Sequence, residues 1–546
     1  MHDKATLLFL LIALTGVAFL VMRLWLPSVL EKIFRFVESR KFWVPLCGSF
    51  LAAYLLALFA NTTYPGYLEH IEPNIASVSF VLMKGKPLYH DLDSTQRYSF
   101  PYGPMAYLPY AVALRLMGAN ILSLKIIVLL ANLLTVILLW RCYRRLLDPS
   151  CTLLVIAAIF AYLLLYDYVF QVRGDILVIF SVALGLYAVL VAPAWLAMLQ
   201  LAFACGVAFD IKVTALFYFL PLYSLLSCRC GWRPVILAAI GAATVALAPF
   251  LLPGVSAAGY LDWLRLTSRE PLVRSEALRE LRLLPFVFAP LGLLLWQMAK
   301  RSRGLLATYL DDNQPFLIVL GGCLAVIAVT SSKIGAGPHH FLPFYPILGY
   351  VCADVYSKTQ GATVVARTPI GSFIPLFSTW IAIAVLIQLG SAFPQTVSTL
   401  LTSRSHARAV AGDLETVMKN HPGKKIEMGY GGWNSKHQLT YFRPALVFAG
   451  NPFTIDALAL GDMQLSGLTI PPSTLEYLRQ CKTQIWLIPK DESPFSLPNV
   501  FSLMAPRLFS VRPLFSDQFR QIFFQQYRKQ GSSTYFDIWE CTIVGD

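Results

Sequence analysis

The feature that most constrains the fold is a series of apolar runs, each close to the length of a membrane span, separated by short polar or basic segments. A helix needs about 20 predominantly apolar residues to cross the hydrocarbon core of a bilayer. Charged residues make up only 14% of the chain, whereas an ordinary soluble protein has about 25%. The sequence therefore predicts an α-helical polytopic membrane protein.

About twelve segments are predicted to be transmembrane helices. The first is longer than the apolar core of a secretory signal and no small-residue cleavage site follows it, so we expect it to be retained. The predicted spans are 5–26, 42–60, 121–140, 151–169, 175–192, 195–209, 213–227, 234–252, 285–299, 315–331, 340–356 and 371–392.

Basic residues indicate the orientation of these spans. Clusters of Lys and Arg fall on one side of the membrane when the spans alternate, and they lie at 23–41, 141–145, 229–233, 300–303 and 358–367. Because cytoplasmic loops are enriched in Lys and Arg, this side is predicted to be the cytoplasm. Such loops and contacts with membrane lipids also account for the net charge of +14. No basic-aromatic module indicates a nucleic-acid partner.

The composition divides the chain into three predicted domains. Residues 1–41 hold the extra first span and a basic connector, and 42–393 form the transmembrane catalytic domain with long outer loops at 61–120 and 253–284. Residues 394–546 have charges at ordinary density and β-rich runs such as KKIEMGYG and TQIWLIPK, which predict a soluble α/β domain outside the cytoplasm. Its cysteines, Cys481 and Cys541, are either a disulfide or two buried thiols.

The first outer loop opens with a cluster of ionisable residues, in the sequence GYLEHIEPNIASVSFVLMKGKPLYHDL at 66–92. A proline, a glycine and a helical apolar stripe predict a helix over 73–84 that lies on the membrane surface. Glu69 and Glu72 come just before this helix, whose first N–H groups favour an anion. Either they are solvated loop acids, with Glu72 a helix-terminal charge, or they form a functional carboxylate pair.

Several segments, taken in order, resemble a known family. The acidic pair after an early span is followed by GKPLYHD, YSFPYGPMAYLPY, RGDILVIFSVALGLY, GVAFDIKVTALFYFLPL and GPHHFLPFYPIL. Their order and sidedness resemble the integral-membrane GT-C glycosyltransferases, which take sugars from polyprenyl-phosphate donors. That superfamily includes the protein O-mannosyltransferases and the aminoarabinose and lipopolysaccharide sugar transferases. The resemblance covers about residues 42–390, and the segment beyond 400 matches no family.

The resemblance implies a hexosyl or pentosyl transferase of cell-envelope glycan biosynthesis. It would move a sugar from a polyprenyl-phosphate donor to a glycan, lipid or protein acceptor, on the outer face of a bacterial inner (plasma) membrane. The family's catalytic acid lies in the first outer loop, which points to Glu72, followed here by Pro73 as in the family motif, with Glu69 as the alternative. Ile71 stands where the family often has an aspartate, and a role for Mg²⁺ or Mn²⁺ is left open.

The chemistry of this reaction suits the polar residues at the outer span ends. A phosphate ester leaves readily, so one carboxylate that orients the acceptor hydroxyl can suffice, while cations hold the phosphate. For some of these residues the alternative to substrate binding is a structural role, as a helix-capping ion pair, a snorkelling lysine or a turn-forming aspartate. The candidate substrate-binding residues are Asp91, Tyr102, Arg173, Asp175, Lys212, Lys333, His339 and His340.

The alternative function from another class is a transporter or flippase of a lipid-linked or small polar substrate. Such proteins often show two related halves and place ionisable residues at mid-membrane. This sequence shows no clear internal repeat, and its polar residues cluster at outer span ends. The pattern therefore favours an enzyme.

Overall fold

The computed structural model describes residues 40–164, 167–361, 381, 384–499 and 513–542. The predicted span at 5–26 and most of that at 371–392 lie outside these residues. The helices before the C-terminal unit are α1 (Arg40–Thr62), α2 (Ile71–Met83), α3 (Leu108–Met117), α4 (Ile121–Tyr143), α5 (Pro149–Leu163), α6 (Gly174–Leu190), α7 (Ala194–Ile211), α8 (Leu216–Cys230), α9 (Trp232–Leu247), α10 (Ala257–Ser268), α11 (Arg274–Arg301), α12 (Arg303–Asp312), α13 (Gln314–Thr330) and α14 (Tyr345–Gly361).

The C-terminal unit combines helices with one small sheet. In it, β1 (Ile426–Met428) pairs with β2 (Ile485–Pro489) in parallel. The strand β4 (Phe536–Cys541) pairs antiparallel with both β2 and β3 (Tyr527–Ser532), so the strand order is β1-β2-β4-β3. The predicted α/β character is confirmed. Its elements are α15 (Phe393–Asn420), β1 (Ile426–Met428), α16 (Arg443–Phe448), α17 (Ala457–Leu465), α18 (Pro472–Arg479), β2 (Ile485–Pro489), α19 (Asp517–Gln526), β3 (Tyr527–Ser532) and β4 (Phe536–Cys541).

The chain is an integral membrane protein, but the number of spans differs from the prediction. Within the described ranges, six helices are long and apolar enough to cross a membrane, or seven if the bent pair α12–α13 forms one span. The predicted total of about twelve is not confirmed. The predicted spans at 151–169 and 175–192 are helices of 15 and 17 residues, and both are largely buried among other helices. Hydropathy alone does not separate a short buried helix from a span.

Local sequence signals set several helix starts. The Asp148 carboxylate accepts hydrogen bonds from the N–H groups of Ser150 and Cys151, with Pro149 in the first turn of α5. The Asn120 side chain likewise accepts from Ser123 N at the start of α4. Such side chains satisfy N–H groups that have no partner within the helix.

The predicted helix at 73–84 exists as α2, which begins two residues earlier, at Ile71. Its position on the membrane surface stays a prediction. Every residue from Glu72 to Leu82 is buried. Ser77, on the polar side of the predicted stripe, donates to the carbonyl of Pro73, and Asn74 Nδ2 donates to the carbonyl of Tyr98. Ser77 and the amide nitrogen of Asn74 are thus buried with their hydrogen bonds made inside the protein, whereas Ser79 Oγ and Asn74 Oδ1 have no partner among the described residues.

The C-terminal unit packs on the first loop and covers α2. Arg97 N donates to Thr454 O over 2.7 Å, and Asp456 N donates to Arg97 O over 2.8 Å. The rings of Tyr98 and Phe453 stack with centres 5.4 Å apart. Backbone pairing and aromatic packing together fix the orientation of this unit on the loop.

Cys481 and Cys541 form a disulfide. It links the segment just after α18 to the last residue of β4, across 60 residues of sequence. Because the bond closes a long loop, its loss should cost about 4 kcal/mol of stability. We expect a Cys481→Ser/Cys541→Ser variant to unfold at a lower temperature in a thermal melt of the purified protein. A control with Cys228→Ser, an exposed cysteine of α8 outside the disulfide, should keep the wild-type melting temperature, and an unchanged melt of the double variant would contradict the expectation.

Candidate functional site

Four charged side chains form a row of alternating sign where α6 begins and α7 ends; we call it the ionic chain. It consists of Glu69, Arg173, Asp175 and Lys212. Arg173 Nη1 lies 3.3 Å from Glu69 Oε2, and Arg173 Nε lies 2.9 Å from Asp175 Oδ2. Lys212 Nζ lies 2.5 Å from Asp175 Oδ1. These side chains are at most 17% exposed, so salt screens their interactions only weakly.

The local sequence positions the ionic chain. Arg173 immediately precedes α6 in an extended conformation, and Asp175 lies in the first turn, where the helix dipole favours an acid. Lys212 follows α7 directly and is also extended. Between them, a Cβ atom at Gly174 would come within 2.6 Å of Ile211 Cγ2. The glycine therefore allows the two helix ends to approach each other.

Glu69 is the carboxylate at the end of the ionic chain. Its Oε1 lies 2.6 Å from His70 Nδ1, and its Oε2 accepts from Ile71 N over 3.0 Å and from Arg173. Burial alone would raise the pKa of the Glu69 carboxyl, but His70, Arg173 and the Ile71 N–H outweigh burial and lower the pKa to about 2. Glu69 is therefore an ionised, partly exposed acceptor of hydrogen bonds.

Glu72 has a different environment, although it is only three residues away. It is 0% exposed. Its Oε1 accepts from Leu68 N over 2.7 Å, and its Oε2 accepts from Val172 N over 2.8 Å. Burial raises the pKa of the Glu72 carboxyl, an effect that the charge of Lys125 opposes. Glu72 thus ties the start of α2 to the residue before Arg173, and it is not the solvated loop acid of the simpler interpretation.

Lys125, a residue of α4, holds the segment that leads from α1 to the two glutamates. It is fully buried, and its ammonium donates to the carbonyl oxygens of Asn61, Tyr64 and Gly66 over 2.8–3.0 Å. A buried charge is tolerated where it is paired and hydrogen-bonded. Lys125 therefore fixes the turn between α1 and the acidic pair.

Two tyrosines face the cations of the ionic chain. The Arg173 guanidinium lies 4.1 Å from the centre of the Tyr168 ring, and Lys212 Nζ lies 5.7 Å from that of Tyr102. Both distances fit cation–π contacts. Tyr102 precedes Gly103, where a Cβ atom would lie only 1.5 Å from the carbonyl oxygen of Asp210. Only glycine allows this close contact, which holds Tyr102 against the end of α7.

His339 and His340 lie in the turn Pro338–Phe344, with their ring centres 4.6 Å apart. The His339 ring packs edge-on against Tyr168 at 5.0 Å. Burial, together with the charge of Lys212, lowers the pKa of His340 to about 3, and burial also lowers the pKa of His339. Both rings are therefore neutral at neutral pH. His340 Nδ1 is buried without a hydrogen-bond partner in the part of the chain that the structure describes.

The other two candidate residues lie elsewhere. Asp91 is an exposed residue of the segment after α2, and its carbonyl oxygen lies 3.5 Å from Arg97 Nη1. Lys333 follows α13, and its ammonium lies 3.2 Å from Ser268 O and 3.4 Å from Thr267 O, at the end of α10. The structure thus brings Glu69, Tyr102, Arg173, Asp175, Lys212, His339 and His340 together, but not Asp91 or Lys333.

The donor set does not fit a divalent cation. The oxygens of Glu69 and Asp175 already contact cationic side chains, and those of Glu72 accept backbone N–H groups. Within the described ranges, no group of three or more His, Cys, Asp or Glu side chains is arranged to hold a metal ion. A divalent cation at Glu69 would have to displace Arg173 or His70.

Sequence reasoning missed two residues of this region. Lys125 interrupts the apolar run ILSLKIIVLL, and an ionisable residue inside a predicted span is by default a functional candidate, so a signal existed. Tyr168 lies in the turn Asp167–Phe170 before Arg173. One aromatic among many carries no comparable signal, because only the three-dimensional contact with Arg173 distinguishes it.

Comparisons with known proteins give a structural relationship only. Neither a protein-family profile nor a curated protein sequence matches this chain. The crystal structure of ArnT from Cupriavidus metallidurans in the apo state matches 91% of this chain and 97% of its own, with a TM-score of 0.53 and 16% identity. The chain therefore has the fold of ArnT.

A second ArnT structure, bound to undecaprenyl phosphate, matches this chain with a TM-score of 0.51 and 15% identity over 93% of this chain and 99% of its own. At such low identity the similarity establishes the fold. The fold that the sequence motifs imply is therefore confirmed, and the roles of individual residues rest on the geometry above.

The two glutamates can be distinguished by the thermal stability of their glutamine variants. Glu72→Gln removes the buried negative charge that faces Lys125, and an uncompensated buried charge costs about 3 kcal/mol. We expect this variant to have a clearly lower melting temperature in detergent, whereas Glu69→Gln should lose less stability because Arg173 keeps its ion pair with Asp175. Equal melting temperatures for Glu72→Gln and the wild type would contradict the structural role of Glu72.

Proposed function

We propose that the protein is a glycosyltransferase that moves a sugar from a polyprenyl-phosphate donor to an acceptor hydroxyl. The observation that carries this proposal is the ionic chain, in which Glu69 contacts Arg173 directly and Asp175 joins Arg173 to Lys212. The GT-C-like fold supports it, since ArnT, with the same fold, has been crystallised bound to undecaprenyl phosphate. The transporter alternative gains no support, because the charges pair with one another at helix ends.

Arg173 and Lys212 are the proposed phosphate-binding residues. A guanidinium presents several N–H donors in a plane that matches phosphate oxygens, and an ammonium adds a compact positive charge. Both already share Asp175, which holds them in place before the donor binds. His340 Nδ1, which has no partner within the described residues, can add a hydrogen bond from a neutral ring.

Glu69 is the proposed catalytic carboxylate. The acceptor oxygen attacks the anomeric carbon, the bond from that carbon to the phosphate oxygen breaks, and the electron pair leaves with the polyprenyl phosphate. Glu69 accepts a hydrogen bond from the acceptor hydroxyl and takes its proton as the new bond forms. With a pKa of about 2, the carboxylate is a weak base, so its main contribution is to orient the hydroxyl and stabilise positive charge on the sugar.

Glu72 and Lys125 are proposed as positioning residues. They hold the start of α2 and the end of α1 against the segment that carries Arg173. This departs from the sequence motif, which favours Glu72 as the catalytic acid. Burial supports this exchange of roles, because the Glu72 carboxylate is 0% exposed and accepts hydrogen bonds from backbone N–H groups.

The direct test of the function compares envelope glycans from cells with and without the gene by mass spectrometry. We expect the deletion to remove one sugar residue from one glycan, lipid or protein class, and a plasmid copy to restore it. A plasmid copy with Glu69→Gln should not restore it. Identical glycans in the deletion strain and its parent would contradict the proposal.

The proposed sidedness places the site and the C-terminal unit outside the cytoplasm. Asp91 and Arg144 are both exposed and lie on opposite sides in this topology. We expect an impermeant maleimide added to intact cells to label Asp91→Cys but not Arg144→Cys, in a background where the exposed Cys228 is replaced by serine. Permeabilised cells, in which both should be labelled, provide the control. Labelling of Arg144→Cys alone in intact cells would reverse the topology.

A further inference from the structure

An apolar cavity of about 480 Å³ lies where the C-terminal unit meets the ends of two spans, and we call it the Phe442 cavity. Cavities that hold small ligands measure about 300–1,000 Å³. The chain around the end of α1 contributes residues 62–65 and Tyr67 to the lining, and the start of α4 contributes residues 119–122. The C-terminal unit covers the cavity with Ala411, Phe442, Ala445 and Phe448.

The Phe442 cavity lies at the membrane surface. The helix α1 ends at Thr62 and α4 begins at Ile121, and both residues line the cavity. Both helices are long and apolar enough to cross a membrane. Leu122, a third lining residue, is 49% exposed, and the exposed apolar face of α4 continues from it through Leu130 and Leu134. Because such a face of a span contacts lipid tails, the cavity adjoins the lipid-facing surface.

Two arginines of α15 lie beside the cavity. Arg404 Nη2 donates to the carbonyl oxygen of Thr63 over 3.1 Å, and Thr63 lines the cavity. Arg408 and Ala411 follow Arg404 at intervals of four and three residues, so all three share one face of the helix. Ala411 lines the cavity as well. The basic face of α15 is therefore turned toward the apolar cavity.

The charge of these two arginines is not compensated within the described parts of the chain, where neither guanidinium has a carboxylate partner. Arg404 is half-buried and Arg408 is exposed. The next acid along α15, Asp413, accepts hydrogen bonds from the β3–β4 hairpin instead. The site therefore suits a ligand that combines an apolar chain with an anionic head.

We propose that the Phe442 cavity binds an acyl chain of an anionic phospholipid, whose phosphate lies against Arg404 and Arg408. The apolar lining removes the chain from water, and a guanidinium presents planar N–H donors to phosphate oxygens. Basic residues at a membrane surface attract anionic lipids for the same electrostatic reason. None of these residues belongs to the ionic chain, so the inference goes beyond the proposed function and does not depend on it.

A lipid in this cavity also supports the segment that leads to the ionic chain. It packs on Tyr64 and Tyr67, which line the cavity. The Lys125 ammonium holds the carbonyl of Tyr64 from inside the protein, and the same segment continues into Glu69. The phospholipid is thus a structural ligand that helps to fix the chain between α1 and Glu69.

Native mass spectrometry of the purified full chain tests the inference with defined lipids. The probes are phosphatidylglycerol, which is anionic, and phosphatidylethanolamine with the same acyl chains, which is zwitterionic. We expect the wild type to bind phosphatidylglycerol about tenfold more tightly. Arg404→Gln/Arg408→Gln should weaken that binding about 20-fold, since each basic residue beside an anionic lipid contributes about fivefold. Arg408→Gln alone, at an exposed residue, should weaken it about fivefold.

A second variant tests the cavity itself. Ala445→Phe places a ring in the space of the acyl chain and should weaken the binding of both lipids about tenfold. Its matched control is Ala449→Phe, at an exposed residue outside the lining. The matched control for the arginines is Arg528→Gln, at an exposed arginine of β3. Both controls should bind the two lipids like the wild type.

Three results would overturn the inference: equal binding of the two lipids by the wild type, wild-type binding of phosphatidylglycerol by the double arginine variant, or unchanged binding by Ala445→Phe. Loss of undecaprenyl phosphate binding by the double arginine variant would also overturn it, because the cavity would then hold the donor lipid. Since no sugar transfer is measured, failure of the proposed function leaves these outcomes unchanged.

Discussion

The Glu69→Gln variant should lose about a thousandfold in kcat/KM for sugar transfer while it still binds the lipid donor. A positioned carboxylate that takes a proton and stabilises transition-state charge contributes factors of this size. Glutamine keeps the size and the hydrogen bond to Ile71 N but loses the charge that faces Arg173. Transfer can be followed as incorporation of labelled sugar from membranes that supply the donor.

The matched control for this variant is Glu415→Gln, an exposed residue of α15, which should transfer sugar at the wild-type rate. The pH profile adds a second check. Since the pKa of Glu69 is lowered to about 2, its carboxylate stays ionised as the pH falls from about 8 to about 5, and it should add no acidic limb to the rate in that range. Transfer by Glu69→Gln within about tenfold of the wild type would contradict the catalytic assignment.

The second large effect is expected at the cationic end of the ionic chain. Arg173→Gln and Lys212→Gln should each weaken the binding of undecaprenyl phosphate about a hundredfold, because each removes a desolvated charged contact with phosphate. Arg173→Lys should have a smaller effect, since it keeps the charge but loses the planar donor pair. Binding can be measured by native mass spectrometry of the detergent-solubilised protein.

Two controls make this expectation specific. Arg265 is a 74% exposed arginine that pairs with Asp262, and Lys333 contacts backbone carbonyls at the end of α10. Arg265→Gln and Lys333→Gln should both bind undecaprenyl phosphate like the wild type. Loss of binding by Lys333→Gln with retention by Arg173→Gln would move the phosphate site away from the ionic chain.

The sequence predicted much of the fold and part of the site, for identifiable reasons. Motifs at fixed positions in the chain, such as RGD at 173–175 and the lysine of FDIKVT, pointed to residues that the structure brings together. Apolar runs predicted helices well, but their hydropathy could not distinguish a membrane span from a helix such as α5 that is buried within the protein. The burial of α2 depends on the C-terminal unit, which no motif in α2 indicates.

The roles of the two glutamates could not be separated from the sequence. Glu69 and Glu72 are one helical turn apart and have similar neighbours in sequence. Their environments differ because Val172 N and Lys125 approach one of them, while Arg173 and His70 approach the other. Apart from the contact between Glu69 and its sequence neighbour His70, these contacts join residues about 50 to 100 positions apart, which only the folded chain brings together.

A cryo-electron microscopy structure of the full chain with undecaprenyl phosphate tests the central claim most directly. The account predicts that the phosphate lies against Arg173 and Lys212, with its oxygens about 3 Å from their nitrogens and with Glu69 facing the side from which an acceptor arrives. A phosphate bound at Lys333, or anywhere else that leaves the ionic chain without contact to the lipid, would contradict it.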